Sequence, residues 1–126
     1  MKKIDTSKAP GAIGPYSQGM VSGKMVFTSG QIPLDPVTGA IVGDTIEVQS
    51  EQALKNLQAV LEAGGASLET VVKTTCFLSD MGNFAAFNGI YAQYFNGDCP
   101  ARSCVAVKTL PKGVLVEVEA IAESLQ

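Results

Sequence analysis

The chain has 126 residues, enough for one domain with a packed core, and the whole of 1–126 reads as a single unit. Apolar residues make up 46% and charged residues 17%, which excludes a disordered chain. The net charge is −3 with no cluster of Lys or Arg, so the electrostatic footprint of a nucleic-acid binder is missing. With no histidine, Ser-His-Asp and Cys-His catalysis are excluded too.

The opening "MKKIDTSKAPGAIG" has no apolar run of the kind a signal peptide carries. No stretch approaches the roughly 18 apolar residues of a membrane span, so a cytoplasmic protein is expected. Residues 10–19, "PGAIGPYSQG", read as a Gly/Pro loop. Residues 25–29 form a short strand that stops at Gly30, and "LDPVTGAIVGD" is a turn-rich connection. From Ile46 the pattern turns helical: Ala53, Leu54, Leu57, Val60 and Leu61 recur every three or four residues until Gly64 and Gly65. A strand over 71–78 follows. Asp80 or Asn83 then caps a second helix, whose Phe84, Phe87, Tyr91 and Phe95 mark a buried stripe ended by Asn96-Gly97. Two strands, about 103–108 and 114–123, close the chain.

The order β, α, β, α, β, β predicts an α/β sandwich, one sheet with both helices on one face. Val114, Val116 and Val118 point to one side of the last strand, Leu115 and Ile121 to the other. Both faces are apolar, yet two helices cover only one. At about 25 cal/mol per Å² of apolar area, a wet second face forgoes several kcal/mol, which predicts a homo-oligomer.

Without histidine, chemistry falls to carboxylates, arginine, tyrosine, backbone groups and water. Arg102 opens a strand; it is either a solvated strand end or an anion site, since guanidinium matches a carboxylate bidentately. Glu117 and Glu119 share the second face of the last strand. They are paired surface groups, or one of them is a general base in a site that has no histidine. Tyr16 is a lid on the core or a hydroxyl at a site's mouth. Ser29-Gly30 is a strand stop or a place where a backbone N–H meets a ligand unobstructed by a Cβ. Asn88 lies on the apolar stripe as a structural bridge or a pocket donor. Cys76, Cys99 and Cys104 are an odd set and read as reduced thiols. Cys104 suits a small wall residue better than a nucleophile, because nothing supplies its base. Pairing the last two strands as a hairpin would set Arg102 against Glu119, but a one-residue slip reverses that.

"GAIGPYSQG", "TSGQIP", "VVKTTCFLSDM", "FNGIYAQYF" and "PARSCVAVKTLPKGVLVEVEAIA" together resemble the reactive intermediate deaminase family (RidA, or YjgF/UK114), nearly end to end. The resemblance implies a chorismate-mutase-like fold, α+β, with a single mixed β-sheet and two helices on one face. It also implies a homotrimer with clefts between subunits. The last strand then inserts between earlier ones, which replaces the hairpin. By motif, Arg102 corresponds to the arginine that binds the substrate carboxylate, and Glu117 to the catalytic acid. Glu119 matches a second glutamate, and Tyr16, Ser29, Gly30, Phe84, Asn88 and Cys104 fall on cleft-lining positions. The implied activity is hydrolysis of 2-enamine and 2-imine acids, such as 2-aminoacrylate and 2-iminobutanoate, to 2-keto acids and ammonia, with no metal or cofactor. Two alternatives remain: a trimer that binds 2-keto acids without turnover, and an endoribonuclease or chaperone-like stress protein.

Overall fold

A computed structural model describes residues 1–125; the last residue of the expected 1–126 unit lies outside the described residues. The elements are β1 (Lys2–Ile4), β2 (Gly19–Ser22), β3 (Met25–Thr28), α1 (Ile46–Ala63), β4 (Val71–Leu78), α2 (Phe84–Tyr94), β5 (Ala101–Ala106) and β6 (Val116–Glu123). The strands make one mixed sheet in the order β1-β2-β3-β6-β4-β5. Only β4 and β5 run parallel, joined by α2 as a crossover; the other neighbours are antiparallel. The expected class holds, and β6 does insert between β3 and β4, so the two C-terminal strands are not a hairpin.

Three features differ from the sequence reading. β1 and β2 extend the sheet beyond the expected first strand, and β5 starts at Ala101 instead of 103, directly after Pro100. β6 in turn begins at Val116, because the turn Pro111–Gly113 carries Lys112 and Gly113 at positive φ (57° and 71°) and delays the extended run.

The helices form for the reasons the spacing gave. Thr45 caps α1, its side chain accepting from the Val48 N–H at 3.3 Å, and the stripe Ala53, Leu54, Leu57, Val60 and Leu61 is wholly buried. α1 stops at Gly64, with Gly65 in the left-handed region. In α2, Phe87, Tyr91 and the following Phe95 are buried, and their rings stack in sequence with centroids 5.6 and 4.6 Å apart. Both helices pack on the face built from Val26, Cys76, Leu78, Val116, Val118 and Ala122.

β6 alternates strictly: Val116, Val118, Ala120 and Ala122 are buried under the helices, whereas Glu117, Glu119 and Ile121 lie on the other face and are partly exposed. In-register neighbours carry that second face outward. Met20, Phe27 and Ile121 form one row, and Val105, Phe77 and Glu117 another. Among the described residues no element covers it. Phe27 and Val105 remain 38% and 47% exposed.

Candidate active site

Two clusters hold the chemistry-bearing residues. The first is a cleft of about 410 Å³ on the uncovered side, with Tyr16, Ser29, Gly30, Gln31 and Glu117 in its wall. Its position follows from three local facts. Buried Gln18 pins the N-terminal loop: its amide donates to the Thr6, Ala9 and Pro10 carbonyls, and its Oε1 accepts from the Thr6 N–H at 2.7 Å. Ser29 ties the end of β3 to the same loop, through its N–H to the Gln18 carbonyl (2.8 Å) and its hydroxyl to the Ser17 carbonyl (2.5 Å). Gln31 then exchanges both backbone hydrogen bonds with Val118, at 2.7 and 3.0 Å, and this lays Gly30 against Glu117.

Gly30 is required by space. A Cβ there would collide with the Glu117 carboxylate, which lies directly on the glycine. The Glu117 carboxyl is pushed above the usual range, first by burial and then by the charge of Glu119 two residues along the strand. It therefore holds a proton more readily than a free glutamate does. Tyr16 stands at the rim, 51% exposed, its hydroxyl accepting a long 3.4 Å contact from the Ile13 N–H.

The second cluster lies where α2 meets the sheet edge. Arg102 on β5 donates from Nη1 to the Asn88 Oδ1 at 2.8 Å. Its Cζ sits 4.8 Å from the centre of the Tyr91 ring and 5.5 Å from that of Phe84. Among the described residues no carboxylate forms an ion pair with it; the one ion pair recorded is Lys55–Glu51 on α1. Cys104, two residues further along β5 on the same face, is half-buried. Burial pushes its thiol up while Arg102 pulls it down, and burial is the larger effect. Cys76, its neighbour on β4, is pushed up to about 12 by burial. Neither thiol is an activated nucleophile.

Within one chain these clusters do not meet. Arg102 is in register with Thr74, and Thr74 with Ala120, so Arg102 belongs to the helix-covered face. Glu117, three residues from Ala120 on β6, belongs to the opposite face. The structure thus gathers Tyr16, Ser29, Gly30 and Glu117 on one side, and Phe84, Asn88, Arg102 and Cys104 at the edge of the other. Tyr91 was legible in the sequence only as part of a buried stripe. A better signal was available: Phe84, Asn88 and Tyr91 fall at i, i+4 and i+7, one helix face, and that face meets Arg102. Gln18 and Gln31, which set the cleft wall, carry no pattern that separates them from loop glutamines.

The family model described as Endoribonuclease L-PSP matches residues 6–124. The chain is 51% identical over 124 residues to the 2-iminobutanoate/2-iminopropanoate deaminase of Salmonella typhimurium, covering 96% of each chain. It is 53% identical over 124 residues to a RutC family protein of Synechocystis sp., covering 97% of this chain and 95% of that one. The structure of E. coli TdcF with bound serine superposes with a TM-score of 0.93 at 48% identity, covering 98% of both chains.

Proposed function

From the premise that the chain belongs to the Endoribonuclease L-PSP family, whose relatives include RidA-type deaminases, we propose that it hydrolyses small 2-imino acids and their enamine tautomers. The reaction adds water across the C=N bond and releases a 2-keto acid and ammonia. Arg102 binds the substrate carboxylate through its planar fork and so fixes C2. Glu117 orients a water against C2, takes its proton as the C–O bond forms, and returns it to the departing nitrogen. A carboxyl with a raised pKa suits that double duty better than an ordinary one. Gly30 and Cys104 offer backbone groups to the nitrogen and the water, while Ser29, Phe84, Asn88 and Tyr16 shape and close the site. The imine carbon is already electrophilic, so none of these steps calls on a metal or an organic cofactor.

The complete site, on this reading, forms between copies of the chain. A homotrimer in which the edge cluster of one protomer faces the Glu117 cleft of the next joins two halves that one chain keeps on opposite faces. It also covers the apolar rows around Phe27 and Phe77. The observation that carries the proposal is the state of Arg102: held by Asn88, without an internal carboxylate, and with its remaining donors free for an anion.

The test is a coupled assay. A pyridoxal-phosphate-dependent threonine dehydratase generates the imine, and the protein is added while keto-acid release is timed. Wild type accelerates release; Arg102→Ala loses at least about a hundredfold, the scale expected for a lost bidentate charge contact, with the oligomer intact. Wild-type rates in Arg102→Ala refute the proposal. The serine bound in TdcF favours a second reading, a cleft that binds amino or keto acids without turnover; binding without acceleration selects it. The family description raises RNA cleavage as well. RNA cleavage that survives both Arg102→Ala and further purification would select that reading.

A further inference from the structure

Arg102 has five N–H donors, and Asn88 takes one. A guanidinium on a flexible stem binds a carboxylate well only if its plane is already set, and a single hydrogen bond to Nη1 leaves that plane free to turn about the bond. The structure assigns the missing constraint to Tyr91: we infer that its ring, anchored by Thr74, is the platform that fixes the plane of the Arg102 fork. The inference rests on the carboxylate-binding role proposed for Arg102 and adds a positioning residue to it.

The contacts form a closed circuit. Tyr91 is 7% exposed and wedged between the rings of Phe87 and Phe95. Its hydroxyl shares a 2.7 Å hydrogen bond with the Thr74 Oγ1, and Thr74 is wholly buried. Thr74 is also the in-register β4 partner of Arg102. The residue beside Arg102 in the sheet therefore holds the far end of the ring that lies under the Arg102 guanidinium at 4.8 Å. Backbone and side chain of the arginine are referenced to the same threonine. Phe84, at 5.5 Å, adds a second aromatic contact but has no polar anchor of its own. A core tyrosine whose only duty was packing would leave its hydroxyl to any partner; here the partner is the residue in register with Arg102.

The experiment compares Tyr91→Phe, Tyr91→Leu and Thr74→Val in the full chain, with folding checked by circular dichroism and the assembly by light scattering. Two readouts are taken: the Arg102 Nε–H resonance of nitrogen-15-labelled protein, and KM and kcat for the dehydratase-generated imine. In wild type the resonance is displaced by the ring beneath it. Tyr91→Leu moves it toward the position of a free arginine, with Phe84 and Asn88 still in contact, and raises KM about tenfold, the range of one cation–π contact, with kcat within about threefold. Tyr91→Phe keeps the displacement and stays within about threefold in KM; Thr74→Val broadens the resonance. If Tyr91→Leu does not fold, Tyr91→Phe combined with Thr74→Val still lacks the anchor and broadens the resonance relative to wild type, and an unbroadened resonance there overturns the inference. An Arg102 resonance indifferent to all of these variants, or a KM unmoved in a folded Tyr91→Leu, overturns the inference. A resonance that follows the ring in a wild type that hydrolyses no imine upholds the platform and removes the hydrolase.

Discussion

Glu117 owes its character to three neighbours: a glycine that yields it space, a strand that half-buries it, and Glu119 on the same face. Burial first and then the charge of Glu119 disfavour the charged form, so the folded chain binds the Glu117 proton more tightly than the unfolded chain does. The sign follows from linkage. The stabilising contribution is fully present below the ordinary carboxylate value of 4.5 and is lost as pH rises through the raised folded value. Glu117→Gln, which never ionises, is therefore expected to melt higher than wild type at pH 7 and to lose that advantage at pH 4. An arginine facing Glu117 across a subunit seam offsets part of the effect, so the gain is larger when Arg102→Ala is also present. Thermal melts at both pH values measure it. A Glu117→Gln protein that melts lower than wild type at pH 7 in the Arg102→Ala background would show the carboxylate to be paired by some other group.

Element by element, legibility tracked how local the determining forces were. α1 was readable because stripe and terminal glycines lie within one stretch, and each is observed at its post; its cap, Thr45, is equally local but emerged only from the structure. Its cap gives a direct test: Thr45→Ala removes the acceptor for the Val48 N–H and is expected to cost about 1 kcal/mol in urea denaturation, with no change in the slope. An unchanged midpoint would mean water replaces the cap fully. β1 and β2 were not readable. They have three and four residues, β1 begins with two lysines, and their extended form comes from pairing, β2 with β3 and β1 with β2. The place of β6 was not legible either: nothing in its own residues says that β3 and β4 flank it, and that expectation came from the family resemblance. The alternation within β6 was legible, and with it the face of Glu117. Relating that face to Arg102 needs the register of β5 on β4 and of β4 on β6, two long-range pairings that no local pattern encodes. That Asn88 and Tyr91 share one face of α2 was open to a reading of spacing; that this face meets Arg102 was not, because the meeting is long-range.

At the scale of the whole molecule, the placement of Arg102 and Glu117 on opposite faces makes the hydrolase a claim about assembly. If each active site takes its arginine from one protomer and its glutamate from the next, around a ring of three, the two defects Arg102→Ala and Glu117→Gln lie on different edges of a protomer. A trimer holding both kinds of chain then has one seam with arginine and glutamate both intact, whichever kind is in the majority. The other two seams each lack at least one of the pair. Equal amounts of the two inactive variants, unfolded together and refolded, give mixed trimers in about three quarters of the population by random assembly, so about one quarter of wild-type activity returns. A site contained within a single chain gives none, because every chain carries one defect. The comparison needs only the keto-acid assay and a control in which the two folded variants are mixed without exchange. Recovery near one quarter requires a heterologous, head-to-tail ring. Full absence of recovery in refolded trimers would place Arg102 and Glu117 in one protomer's site, or in no common site, and the proposed division of the machinery across the seam would fall with it.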